Sequence, residues 1–315
     1  MSDEMKSSPP RKQVDCVYIA AFRGDPRLTR ICVASVRYFY PDIPLRVLAG
    51  SPLLPSLVGE LERYWNTRVA DLPDAGRDYG SGFVKLEPLF TPPGERFLML
   101  DADTVLAGPV LDLWREGDAP FLVDEEEQPE AEAKRLYFDW DKLSANGLPT
   151  PRPTAVFNTG QWFGTGGLLT RDDFAPLVEW SMPRRLRYPK FFMTGDQGIQ
   201  NYVFNQKMRD GSIPVQLRKI MFWPVWKMDG MNAAALAART APAFVVHWAG
   251  LKKRRLRDMV RPDMLDFFER YYYQRVPFGS VLRPFRALTD VLSQWLHDKR
   301  VRVRMRLQKI RHGGR

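Results

Sequence analysis

The 315-residue chain has two cysteines, three histidines and no internal repeat. Cys16 and Cys32 make neither a disulfide framework nor a Cys-x-x-Cys pair, and they suit a reducing compartment. No apolar run approaches the ~18 residues of a membrane span, so membrane contact is expected to be peripheral and the location cytoplasmic. Residues 1–13 are polar, carry a Pro pair and have no apolar stretch. They read as a disordered leader rather than a secretory signal. No Gly-x-Ser-x-Gly occurs, and His247 is the one histidine ahead of the last 65 residues, which leaves little room for a Ser-His-Asp hydrolase. Gly164-Thr165-Gly166-Gly167 lacks the spacing of a phosphate-binding loop and reads as a turn before a strand.

Charge is present but unevenly placed. The formal net charge is +10, yet Leu251 to Arg315 holds 18 basic and 6 acidic residues, leaving 29 basic and 31 acidic in the rest. The body is near neutral and the excess is an appendage, which argues against a protein wrapped in nucleic acid throughout. At 44% hydrophobic and 27% charged, the chain has the composition of a globular protein.

The order of apolar runs is that of an α/β sheet. Val14–Phe22 reads as a buried strand, Asp25-Pro26 opens a helix with Leu28, Ile31, Cys32, Val36 and Phe39 at helical spacing, and Leu45–Ala49 is a second strand. Leu54–Trp65 is a second helix and Phe83–Phe90 a helical segment. Arg96–Leu100 is a strongly apolar strand that runs into Asp101-Ala102-Asp103. Strands and helices alternating at this spacing predict a parallel α/β arrangement. Residues 124–154 are acidic and Pro-rich, read as an irregular excursion, with Asp124–Glu127 as a solvated run. Helices are expected at Arg171–Met182, its start steadied by Asp172-Asp173, and at Gly195–Phe204, with a last strand at Ala243–His247. Cys16 in a strand and Cys32 on an apolar helix face both read as core.

Ligands bind beyond the carboxyl ends of strands in open α/β sheets, and Asp101 and Asp103 stand there with the small Ala102 between them. Two carboxylates suit Mg²⁺ or Mn²⁺. His247 follows the apolar run AFVV and is either a hydrogen-bonded core histidine or a third ligand; in the second case the mixed set favours Mn²⁺. Gly250 and Lys253 follow at three-residue steps, and with a metal they would make a diphosphate clamp.

These segments resemble the family 8 glycosyltransferases of GT-A fold, retaining enzymes related to glycogenin and the bacterial lipooligosaccharide galactosyltransferases. The likeness covers roughly residues 14–253. It is carried by VDCVYIAAF…ICVASVRYFYPDIPLRVLAG, FVKLEPLF, FLMLDADTVL, FNTGQWF, GDQGIQNYVF and HWAGLKK in that order. The resemblance implies a GT-A catalytic domain over 14–253, a Rossmann-like mixed sheet flanked by helices, followed by a basic helical extension over 254–315. It implies metal ligation by Asp101, Asp103 and His247. Donor contacts would come from Ala20, Ala21, Lys85, Ala102, Asn158, Gly160, Gly250 and Lys253, and Asp196 and Gln197 would serve at the donor sugar. It further implies a UDP-sugar donor, a glycan or lipid-linked acceptor, and same-face transfer in which the departing phosphate accepts the acceptor's proton. Ala20-Ala21-Phe22-Arg23 stands where the family has an acidic or Asn residue, Gly198 where it has Asp, and Arg254-Arg255 where it has Pro-Trp.

The extension has two apolar pieces: Met259–Tyr273, then Val281, Leu282, Phe285, Leu288, Val291, Leu292, Trp295 and Leu296 at helical spacing. It reads as a docking helix, as an interfacial segment on an anionic membrane, or as both in different parts. No nucleic-acid partner is expected. The competing readings are a nucleotidyltransferase of similar fold, and a non-catalytic protein that binds an anionic surface or nucleic acid through a degenerate body.

Overall fold

The computed structural model describes residues 14–71, 81–181, 185–192, 195–253 and 255–292. The expected leader at 1–13, Arg254, and the tail with Trp295 and Leu296 lie outside the described residues.

The opening follows from its apolar runs. Strand β1 (Cys16–Ala21) is buried along its whole length, as a central parallel strand must be. Its alternate residues serve opposite layers: Val17, Ile19 and Ala21 join one core, Cys16, Tyr18 and Ala20 the other. Helix α1 (Pro26–Phe39) begins with proline in its first turn, where a missing N–H costs nothing. Strand β2 (Leu45–Ala49), helix α2 (Pro55–Trp65) and strand β3 (Arg68–Asp71) complete the first parallel run. Asn66, at φ 45°, turns the chain out of α2 in the left-handed region that Asn tolerates. A 3₁₀ helix (Ser81–Phe90) leads to β4 (Arg96–Asp101) and β5 (Thr104–Leu106).

Beyond β6 (Phe121–Asp124) the chain departs from simple alternation. Residues 124–154 are not an irregular excursion. They hold α3 (Glu130–Leu136) and α4 (Trp140–Ala145), fastened by buried Tyr137, Phe138, Trp140 and Leu143. Asp124 is not solvated either; it is fully buried, and its Oδ1 accepts from the Ile220 and Met221 amides. Strand β7 (Gln161–Thr165) precedes the Gly166-Gly167 turn, so the glycine cluster ends a strand rather than preceding one. The expected helix at 171–182 stops as α5 (Arg171–Phe174), because Leu177 and Val178 are drawn into the core and the chain continues as β8 (Val178–Glu179) against β9 (Arg185–Leu186). Then come α6 (Asp196–Asp210), β10 (Val215–Arg218), β11 (Met221–Phe222), α7 (Ala233–Ala238), β12 (Val245–His247) and α8 (Pro262–Gln274).

Among the described residues the main sheet has seven strands in the order β10-β6-β7-β4-β1-β2-β3. Only β7 runs against its neighbours, so the sheet is mixed. A smaller sheet, β11-β12-β5, has β12 antiparallel to β5 and pairs His247 with Thr104. It packs in the same core layer as α1 and α8. The carboxyl ends of β1, β4 and β12 therefore converge.

The C-terminal segment docks by arginines rather than by its apolar stripe. Residues 279–292 are helical, and Val281, Phe285, Leu288 and Leu292 face outward. Arg286 pairs with Glu60 of α2, and Arg283 Nε donates to Glu269 of α8 at 3.0 Å. Among the described residues of the stripe, Leu282 packs against the core layer.

Candidate active site

Asp101 is the last residue of β4, beside Ala20 of β1 in register. Its amide donates to the Gly160 carbonyl at 2.7 Å, and the Ala102 amide to the Ala20 carbonyl at 3.1 Å. The Asp-Ala-Asp turn is thus held from both sides by backbone. Buried Ala20, Ala21 and Ala102 keep that turn free of side-chain bulk. Thr104 Oγ1 and the Trp248 amide then close it on the carbonyls of Asp101 and Asp103.

The turn aims both carboxylates at the end of β12. His247 Nε2 stands 3.2 Å from Asp103 Oδ1 and 3.8 Å from Asp101 Oδ2. The imidazole is buried against Gly160, where a Cβ would stand 2.2 Å from His247 Cε1. Gly160 is therefore required by close approach, and Asn158 Oδ1 fixes its turn by accepting the Gly160 amide at 2.8 Å. Trp223 stacks on the imidazole, ring centres 5.4 Å apart and planes at 17°.

Two lysines flank the carboxylates. Lys85, buried in the 3₁₀ helix, lies 3.3 Å from Asp101 Oδ2 and 2.8 Å from Asp196 Oδ2. Lys252 lies 3.1 Å from Asp103 Oδ2 and 2.8 Å from Asp25 Oδ2. Burial works against the charge of Asp103, but the His247 hydrogen bond and Lys252 outweigh it and hold its carboxyl below the usual range. Burial pushes Asp101 up, Lys85 opposes this and the Asp103 charge adds to it, leaving Asp101 raised. For Lys85 burial disfavours the cation, yet Asp101 and Asp196 together hold it protonated.

A divalent cation fits these residues. Ligand atoms of Asp101, Asp103 and His247 lie within 4.8 Å of one another, and cis ligands of an octahedral ion stand about 3 Å apart. Asp101 Oδ1 and His247 Nδ1 are buried without a hydrogen-bond partner among the described residues. An orphaned carboxylate oxygen beside a second carboxylate is a costly arrangement that a cation relieves.

Of the residues singled out by sequence, Ala20, Ala102, Lys85, Asp101, Asp103, Asn158, Gly160, Asp196 and His247 are joined by these contacts, and Ala21 lies one residue from Ala20. Gln197 belongs with them. Its Oε1 accepts the Thr159 amide at 3.4 Å and its Nε2 donates to the Leu136 carbonyl at 3.2 Å. The glycine after it also has a physical reason, since a Cβ at Gly198 would meet the Tyr137 carbonyl at 2.3 Å. Gly250 takes φ +70° in the turn after β12, which returns the chain toward Asp103. The lysine that pairs with Asp103 there is Lys252; both Lys252 and Lys253 are exposed. Sequence reasoning missed Lys252, Asp25 and Trp223. Only the adjacency of Lys252 to Lys253 could have signalled the first.

No protein-family model matches the chain, and no curated protein matches it in sequence. Solved structures do match. The galactosyltransferase LgtC, in complex with donor and acceptor sugar analogs, aligns at TM-score 0.56 with 17% identity over 83% of this chain and 96% of that one. The bifunctional glycosyltransferase WbbM aligns at 0.52 with 15% identity over 84% of this chain and 50% of that one. The glycosyltransferase GlyE of Streptococcus pneumoniae TIGR4 aligns at 0.50 with 15% identity over 91% and 64%. The fold is that of the GT-A glycosyltransferases.

Proposed function

We propose that the chain is a metal-dependent retaining glycosyltransferase. It would move a sugar from a nucleotide-sugar, a UDP-sugar by preference, to a glycan or lipid-linked acceptor in cell-surface polysaccharide or lipopolysaccharide synthesis. The observation that carries the reading is the cluster of Asp101, Asp103 and His247 at converging strand ends, with Lys85 bridging it to Asp196.

Mn²⁺ or Mg²⁺ held by those three ligands would act as a Lewis acid on the donor diphosphate. The chain's own groups do the rest. Lys85 and Lys252 supply fixed positive charge on either side of the carboxylate pair, where negative charge grows as the anomeric C–O bond breaks. Gly250, with open space beside its Cα, gives the diphosphate close backbone approach, and Lys253 in the same exposed turn adds a cation; Gly160, its turn set by Asn158, makes room for the His247 imidazole. Ala20 and Ala21 floor the base and ribose site. Asp196 accepts hydrogen bonds from donor hydroxyls. Gln197, its amide pinned by Thr159 and Leu136, presents its edge to the anomeric carbon. The acceptor oxygen attacks on the face the phosphate leaves, and its proton passes to the departing phosphate oxygen. The outward apolar stripe at Val281, Phe285, Leu288 and Leu292 supports peripheral contact with an anionic membrane that presents the acceptor.

A sugar-nucleotide panel with Mn²⁺, scored by thermal shift and slow donor hydrolysis, tests this. One UDP-sugar should stabilise the protein only with metal and release UDP. Release of pyrophosphate from a nucleoside triphosphate would instead favour the nucleotidyltransferase reading. Absence of any metal-dependent donor binding would remove the enzymatic reading.

A further inference from the structure

A cavity of about 780 Å³ lies between the start of α1, the segment after β12, α8 and the C-terminal helical segment. That volume is in the range of small-molecule sites, roughly 300–1,000 Å³. Asp101, Asp103 and His247 do not line it, so it is separate from the strand-end cluster. Its apolar wall comes from Leu256 and Pro262 on one side and from Ala287, Leu288 and Val291 on the other.

Charged side chains line it too, and most are already answered. Arg27 donates to both carboxylate oxygens of Glu269, at 2.5 and 3.0 Å. Arg270 pairs with Asp266, which Arg283 also answers. Asp263 accepts from Arg261 at 2.9 and 2.7 Å. That leaves Arg255 and Arg257, both exposed, on either side of buried Leu256. Arg257 stands 3.8 Å from Asp258, which is itself exposed, and an ion pair so placed is worth little. Arg255 has no ion-pair partner among the described residues. The cavity thus joins an apolar wall to two guanidiniums whose charge is not spent within the fold.

We propose that this cavity binds one anionic membrane phospholipid, with its phosphate on Arg255 and Arg257 and an acyl chain along the apolar wall. Guanidinium forks match phosphate oxygens, and the wall gains only from a ligand that also carries an alkyl chain. The bilayer is the source because Leu288 shares the outward helix face with Val281, Phe285 and Leu292. The inference rests on the reading of that face as a membrane contact and deepens it from a general surface attraction to a single lipid site. Its consequence is positional. Lys252, three residues before Arg255, pairs with Asp103 at 3.1 Å, so a lipid held here sets the strand-end cluster close to the membrane surface.

Calorimetric titration of the full chain with dihexanoylphosphatidylglycerol, kept below its micelle-forming concentration, tests the cavity without a bilayer. One saturable site is expected, with dihexanoylphosphatidylcholine and inorganic phosphate each binding at least about tenfold more weakly. The pair Arg255→Ala with Arg257→Ala, and separately Leu288→Glu, should each weaken binding about tenfold. All three side chains are exposed, so an unchanged Tm checks that the fold holds. No saturable binding, or binding that these variants leave unmoved, overturns the site. Inorganic phosphate bound as tightly as the lipid would reduce it to an anion site and overturn the lipid assignment. Tighter binding of geranyl phosphate would replace the phospholipid with an isoprenoid phosphate. Co-sedimentation with vesicles of phosphatidylcholine and phosphatidylglycerol separates the site from the reading beneath it. A wild-type protein that sediments without binding the monomeric lipid refutes the cavity and keeps the membrane contact. One that binds the monomeric lipid without sedimenting refutes the membrane contact and keeps the cavity as a lipid site.

Discussion

Two buried ion-pair clusters, built from different cations, do different work. At the C-terminal segment, Glu269 is gripped by Arg27 and Arg283, and Glu60 by Arg286 with Arg30 3.6 Å away. At the strand ends, Asp101 and Asp103 meet Lys85, Lys252 and His247. Arginine forks saturate a carboxylate in a fixed plane, whereas an ammonium is a point charge that leaves carboxylate lone pairs free. The first cluster fastens a helix, and the second keeps Asp101 Oδ1 available. Composition alone does not separate them; the identity of the cation and the orphaned atoms do.

The largest effect expected from breaking this contrast is on activity. Asp103→Asn or His247→Ala should lower kcat/KM on the order of 10²–10³-fold, the scale seen when one stabiliser of developing charge is lost. Asp103→Asn should also abolish the Mn²⁺-induced rise in Tm, because binding to the native state alone is what raises it. Full metal-dependent activity in either variant would mean the cluster is structural, like its counterpart.

Glu269→Gln tests the other cluster. It removes one buried charge that answers two arginines, so unfolding free energy should fall by ~3 kcal/mol, the lower end for breaking a buried pair, since the arginines reach solvent. A urea titration reads this as a lower midpoint with an unchanged slope. The metal-induced Tm shift should survive; its loss would show that the helix and the site form one unit. Asp124→Asn should cost less, about 1–2 kcal/mol. The amide can still accept the two backbone N–H groups, and only the half-exposed Lys219 loses a charged partner.

The first half of the fold was legible because its signals are local. The runs CVYIAA and RFLML are long enough to be central strands, and Pro26, Pro41 and Pro44 punctuate between them. Asp101, Asp103 and His247 were found because each ends such a run. The second half depends on pairings distant in sequence. Asp124 looks like the start of an acidic surface run until the Ile220 and Met221 amides, nearly a hundred residues later, bury it. That Lys252 pairs with Asp103 is a matter of one residue in the turn at Gly250, and spacing cannot resolve that register. The stripe of 279–292 stays between a docking helix and an interfacial segment in the sequence, since periodicity marks an apolar face without saying that arginines dock the other.

The smallest effect distinguishes the start of β1 from the stretch of α1 beneath the site. Burial pushes the thiols of Cys16 and Cys32 up to about 12, so at pH 8 the thiolate fraction of each is on the order of 10⁻⁴ and alkylation of the native protein should be very slow. Labelling then reports local opening. Cys32 lies under the site, its thiol 3.7 Å from the Asp101 carbonyl and 3.6 Å from Thr104 Oγ1. Cys16 lies at the start of the strand, close to Tyr18 and Glu95. Mn²⁺ with UDP should therefore slow labelling of Cys32 severalfold and leave Cys16 nearly unchanged, read by mass spectrometry of the alkylated peptides. Equal protection of both would mean that the ligand stabilises the whole sheet, and that the strand-end cluster does not open separately from the core beneath it.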